Sequence, residues 1–198
     1  MVGANKELTF TSGFFTSATT PALTIGVASA SNLALTTAPT PSTISAVSFL
    51  AQPVVTIQDA SGNTRSADSL VITVALTTGT GTLSGTTVAT ASAGIATFAG
   101  LSLNLAGVDK VLTFTSSGLT PVASGALTIT IGVATKLVQT QFPYSAAISA
   151  SVFPIPPRIT IQDASGNTRS ADNTTAVTVA MSGASGGILS RTLVATST

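Results

Sequence analysis

The chain has 198 residues, 44% of them apolar and only 7% charged, with a net charge of +1 and a positive mean hydropathy. Cysteine, tryptophan and histidine are absent, which removes disulfide frameworks, most nucleophile–base pairs and most transition-metal sites. The seven basic residues form no cluster, so the stripe of a nucleic-acid binder is missing, and Thr, Ser, Gly and Pro break every apolar run short of the roughly 18 to 20 residues of a membrane-spanning helix.

In chain order, the first expected strands lie at 7–12, around Leu8 and Phe10, and at 22–27, around Leu23 and Ile25. Between them Phe14 and Phe15 fall in an expected loop. Adjacent side chains point to opposite sides, so both rings are hard to bury in one sandwich, and an exposed apolar pair marks a contact surface. Next come strands at 32–36, 54–58 and 70–76, rich in Val, Ile and Thr, and a weaker one at Leu83 and 86–91. The stretch 95–103 carries Ile95, Phe98, Leu101 and Leu103 and is expected as one strand. At 110–116 Leu112 and Phe114 alternate with Thr113 and Thr115, and at 126–131 Leu127, Ile129 and Ile131 alternate with Thr128 and Thr130. By the same pattern Phe10, Phe98 and Phe114 read as core. About seven short strands in about 100 residues, bounded by Gly, Pro, Ser and Asn, is the spacing of an immunoglobulin-like sandwich. Helices are not expected, because β-branched residues dominate and no apolar stripe has a 3.6 period.

Residues 56–68 and 160–172 both read TIQDASGNTRSAD, 104 positions apart. Residues 6–12 (KELTFTS) match 110–116 (KVLTFTS), and 24–28 (TIGVA) match 130–134. Self-similarity at a fixed period sets the architecture. The expected fold is all-β: tandem immunoglobulin-like β-sandwich modules, one complete and two partial. Residues 1–26 supply the closing strands of a partial module, 27–132 are a complete sandwich, and 133–198 are a partial sandwich lacking its last strands.

The string TIQDASGNTRSAD, followed by VITVAL, GTLSG and GIATFAGLSL, resembles the bacterial Ig-like repeats of invasin- and intimin-type cell-surface proteins over essentially the whole chain. The resemblance implies an extracellular β-sandwich used in tandem as a spacer or adhesive stalk. Residues 1–25 lack the basic start and apolar core of a signal peptide.

The six acids are Glu7, Asp59, Asp68, Asp109, Asp163 and Asp172. An oxygen-rich loop offering Asp59, Asn63 and Asp68, copied as Asp163, Asn167 and Asp172, is a candidate for Ca2+. Its spacing fits no EF-hand, and Arg65 or Arg169 within the loop supplies the opposite charge. The competing reading is a turn held by Asx hydrogen bonds and an ion pair. Paired carboxylates also suggest glycoside hydrolysis, but an active site need not be copied at each period whereas a fold-defining turn must be. No enzyme and no cofactor beyond that ion are expected. Phe14, Phe15, Phe142 and Tyr144 are the aromatic candidates for a glycan or cell-surface contact, and Asn173 begins an N-glycosylation triplet.

A sandwich without its last strands exposes core side chains and unpaired backbone groups. The expected partner is therefore another copy of the chain, joined head-to-tail. Leu8, Phe10, Phe14, Phe15, Leu23 and Ile25 of one copy would meet Val177, Val179, Leu189 and Val194 of the next. A junction so built lacks the counterpart of about 93–106. The alternative is that the 198 residues are a window of a longer tandem-repeat surface adhesin or stalk.

Overall fold

The computed structural model describes residues 2–143, 148, 151–172 and 174–179. Among them there is no helix, and the chain is all-β. The first strands are β1 (Gly3–Lys6), β2 (Thr9–Ser12), β3 (Phe15–Thr19) and β4 (Leu23–Ile25). Then follow β5 (Ala30–Thr37), β6 (Ser42–Ile44), β7 (Val54–Asp59), β8 (Val71–Thr78), β9 (Leu83–Ser84), β10 (Val88–Thr90), β11 (Ile95–Thr97), β12 (Ser102–Leu103), β13 (Gly107–Thr115), β14 (Val122–Ala123) and β15 (Leu127–Thr130). The series ends with β16 (Lys136–Gln141) and β17 (Arg158–Gln162).

Strands β5 to β15 form a sandwich. One sheet runs β10-β8-β13-β15-β6, with β14 beside β13, and the other runs β11-β7-β5. Strand β6 joins β15 in parallel, Ser42 opposite Thr128 and Ile44 opposite Thr130. The alternating residues of both sheets meet in one core. Val55 and Ile57 come from β7, Ile72 and Val74 from β8, Leu112 and Phe114 from β13, and Leu127 and Ile129 from β15. At its centre the Phe98 and Phe114 rings stand edge to face, centroids 5.2 Å apart.

Expected strand 95–103 is in fact two strands in different sheets, β11 beside β7 and β12 beside β9. Phe98, Leu101 and Leu103 are all buried, a spacing of three and then two that one pleated strand cannot direct to a single face. The chain turns between them at Gly100, where φ is 66°. The expected strand at 7–12 is likewise displaced: β1 begins at Gly3, and β2 begins only at Thr9. Phe15, expected in a loop, opens β3.

Candidate functional site

The N-terminal hairpins repeat the edge of the complete module residue for residue. Strands β1 and β4 place Gly3 opposite Ile25 and Lys6 opposite Leu23, with a bulge between. Strands β13 and β15 place Gly107 opposite Ile129 and Lys110 opposite Leu127, with the bulge in the same place. Thr9 faces Thr19 and Phe10 faces Ala18, as Thr113 faces Ala123 and Phe114 faces Val122. The bulge residues agree too, Asn5 at φ 54° and Asp109 at 55°. Every equivalence runs at 104 positions. The local TIGVA match, offset by 106, is therefore not the structural one: Ile25 occupies the place of Ile129.

The same side chains end up in opposite environments. Phe114 is fully buried, whereas Phe10 is 62% exposed; Leu112 is fully buried, whereas Leu8 is 56% exposed. Phe10 is thus not a core residue among the described residues, because no second sheet lies over it. Leu23 is half-buried and Ile25 exposed. At the hairpin tip Phe14 and Phe15 are 95% and 80% exposed. In the complete module the tip position of Phe15 is held by Leu119, packed on the core. The next residue, Thr120, ties the tip to β5 by exchanging backbone bonds with Ser31 and Leu33 (2.9 and 3.0 Å).

The C-terminal segment shows the reciprocal deficit. Strands β16 and β17 pair as β5 and β7 do, Leu137 opposite Ile161 and Val138 opposite Thr160. Leu33 is 4% exposed, but its counterpart Leu137 is 54% exposed, and Ile159 is exposed where Val55 is buried. Val177 is half-buried and Val179 exposed, both outside any strand. Phe142 is exposed. Leu189, Val194, Tyr144 and Asn173 lie outside the described residues.

The two copies of the 13-residue string form the other recurrent feature. Asp59, at the end of β7, is buried, and its carboxylate is ringed by donors. Oδ1 accepts from the backbone N–H of Ser61 and of Asn63, both at 2.9 Å. Oδ2 accepts from the Ala28 N–H at 3.1 Å and from the Asn63 side-chain amide at 2.9 Å. Gly62 alone in this turn takes a left-handed conformation, φ 80°; Asp59 and Asn63 shape it by hydrogen bonding instead. Arg65 grips Asp68 with two bonds of 3.0 Å and donates to the Ala28 carbonyl at 2.8 Å. One loop thus fastens both polar groups of Ala28, two residues before β5.

The second copy repeats this around Gly132. Asp163 accepts from the N–H groups of Gly132, Ser165 and Asn167, each at 2.9 Å, and Arg169 donates to the Gly132 carbonyl. The ion pair is looser, Arg169 Nε lying 3.5 Å from Asp172. Asp172 is instead held below its usual range chiefly by the Thr175 backbone N–H.

In this geometry the calcium candidates act as a turn. The Asp59 and Asp163 oxygens accept N–H donors where a cation would require free lone pairs, and Asp68 is engaged by Arg65. Among the described residues no three acidic side chains converge as metal ligands. Asp59 and Asp68, considered as a catalytic pair, are occupied by those same contacts.

Donor bonds depress both turn carboxyls. The Asn63 side chain, ahead of the Asn63, Ala28 and Ser61 N–H groups and against desolvation, lowers Asp59 from 3.8 to about 2. Burial acts to raise Asp163, but the Asn167 side chain and three backbone N–H groups outweigh it and hold it at about 2. A folded-state value below the unfolded one stabilises the fold above the unfolded value, and that stability is lost as pH falls through the folded value. We expect a melting temperature that is flat from about pH 5 to 8 and falls between about pH 4 and 2. Calorimetry of Asp59→Asn should show the complete module with a lower plateau and a shallower acid slope, the remainder coming from Asp68, which its hydrogen bonds to Arg65 also hold below the usual range.

No family model matches the chain, and no curated protein matches it. Solved structures that it resembles include a glycosyl hydrolase family 2 member from Bacteroides cellulosilyticus, at 11% identity and a TM-score of 0.42 over 57% of this chain and 16% of that one. A β-glucuronidase from Parabacteroides merdae matches at 17% identity and a TM-score of 0.40, over 57% of this chain and 15% of that one. A β-glycosidase from Bacteroides vulgatus matches at 12% identity and 0.42, again over 57% and 15%. The chain spans less than a fifth of each of those proteins, and similarity at this level leaves function to the geometry above.

Proposed function

We propose that this chain is an extracellular structural protein whose Ig-like modules join head-to-tail, residues 1–26 of one copy completing residues 133–198 of the next. One observation carries the reading. The N-terminal hairpins hold the register of β13, β14 and β15, yet the face that β13 and β15 bury is bare in them.

The complete module serves as the template for the joint. Leu8, Phe10, Leu23 and Ile25 would enter the second copy's sandwich where Leu112, Phe114, Leu127 and Ile129 sit in the first. Phe15 would fill the place of Leu119, between the hairpin tip and β16, covering Leu137. Strand addition combines backbone ladders with side-chain pockets. Burying five or six apolar side chains contributes roughly 1.5–3 kcal/mol each before ordering entropy is subtracted. Because the contact is heterologous, it propagates as an open filament unless the rotation closes a ring.

A second reading shares the same faces: the 198 residues belong to a longer tandem array, a surface stalk or adhesin in which neighbouring sequence covers them. Both readings keep residues 27–132 and 133–198 consecutive in one chain, so the hydrogen bonds from Asn167 to Ser45 and Asn104 fit either of them.

Size exclusion and negative-stain microscopy of the purified chain separate the two. Self-assembly predicts ladders or filaments that vanish when residues 1–26 are deleted, while 27–132 stays folded by circular dichroism. Filaments that persist after the deletion would remove the strand-donation model. A chain that stays monomeric with a frayed C-terminal segment supports the array.

A further inference from the structure

Asn167 reaches beyond its own turn. Its side-chain amide donates to Asp163 at 2.8 Å, as Asn63 does to Asp59, but also to the Ser45 hydroxyl at 2.9 Å and the Asn104 carbonyl at 3.0 Å. Its carbonyl oxygen accepts from the Ala106 N–H at 2.9 Å. Ser45, Asn104 and Ala106 all belong to the complete module, at the end nearest the β15–β16 linker.

The polarity of this contact is fixed by proton counting. The Ser45 hydroxyl spends its proton on the Asn104 carbonyl at 2.7 Å, which leaves it an acceptor towards Asn167. The side chain at 167 therefore faces three acceptors and one donor: one of its two amide protons goes to Asp163, the other is shared between the adjoining Ser45 and Asn104 oxygens, and its own oxygen accepts from Ala106. An amide satisfies that arrangement; a carboxylate would set charge against Asp163 and two further acceptors. The linker is held at the same time, since Gly132 gives its N–H to Asp163 and its carbonyl to Arg169.

We propose that the base of the complete module, formed by the Ser45 hydroxyl, the Asn104 carbonyl and the Ala106 N–H, is a docking surface. Its partner is the Asp–Asn–Arg loop of the next module along the chain, and Asn167 is the residue that fixes the angle between the two. This gives the letter-for-letter repeat a physical reason. A strand answers to its own core, whereas this loop answers to its own linker and to a neighbour as well. The inference concerns a single chain and holds whether or not copies polymerise.

The chain contains no cysteine, so Thr86→Cys and Gln139→Cys place one spin label on each side of the joint, both at exposed sites. In dilute monomer, pulsed dipolar spectroscopy should give one narrow distance. Asn167→Ala and Asn167→Asp should broaden the distribution at least about twofold, because small contacts otherwise leave domains free to move. Ser45→Ala strikes the same joint from the opposite side and should broaden it too. Asn63→Ala, the identical change in the other copy, should leave the width unaltered. Parent-like widths in the Asn167 and Ser45 variants, or a broad distribution in the parent, overturn the proposal.

Discussion

Phe114→Ala is expected to cost the complete module about 3–5 kcal/mol of unfolding free energy, the range for deleting a buried phenyl ring. The ring is fully buried and stands against Phe98, 5.2 Å away, so its removal leaves a cavity that two rigid sheets close only in part. Its structural twin gives the opposite result. Phe10→Ala, at the same place in the same register, should change the unfolding of the complete module by less than about 0.5 kcal/mol, as an exposed substitution does. If residues 1–26 donate strands, that same Phe10→Ala should raise the critical concentration for assembly at least tenfold, about 1.4 kcal/mol per joint. Denaturant titration of the 27–132 transition and sedimentation of the assembled fraction read the two effects separately. An equal loss of module stability from both variants would show that the hairpin packs on its own chain.

Gly94→Ala should be nearly as severe although it removes nothing. Gly94 has φ 74°, and a Cβ there would lie 2.3 Å from the Arg65 carbonyl oxygen and 2.8 Å from its carbon. Both polar groups of Gly94 are engaged, its N–H with Asp68 and its carbonyl with Ile57 N–H. The new methyl group can be accommodated only if the turn carrying Arg65 and Asp68 lifts away. Left-handed strain alone costs about 1–2 kcal/mol for a residue with a Cβ, and the displaced turn brings the total to about 3 kcal/mol or more. Thermal melting should show the drop, and backbone amide exchange should show it first at Ala28, Ser61 and Asn63. A variant that melts within a degree or two of the parent would mean that this turn shifts freely.

The strands were legible wherever one face of the sheet is buried and the other wet. Leu112 and Phe114 against Thr113 and Thr115, or Leu127 and Ile129 against Thr128 and Thr130, carry the two-residue period in the letters. The reading failed where burial departs from that period. Phe98, Leu101 and Leu103 all enter the core by bending the backbone at Gly100, which makes two strands of an expected one. Strands β6 and β14 are two or three residues long and owe their existence to a neighbour's edge, a tertiary cause with no local signature. The Asp59 loop was recognisable as turn chemistry from Asp, Gly and Asn. That Asn167 would also bridge to Ser45, 122 positions away, was not, since nothing in a turn motif specifies what lies across from it. The duplicated string itself was the available clue, for perfect identity over 13 residues exceeds what a turn alone demands.

The parallel ladder between β6 and β15 has a mechanical consequence. The first of these strands lies near the start of the complete module and the second closes it. Tension applied between Ala28 and Gly132 loads β5 against β7 first, and once β5 yields it slides β6 and β15 past each other along their length. Their hydrogen bonds are then loaded in shear and must fail together, not one after another as in an unzipping hairpin. A chain of such units would extend stiffly under flow and yield in discrete steps.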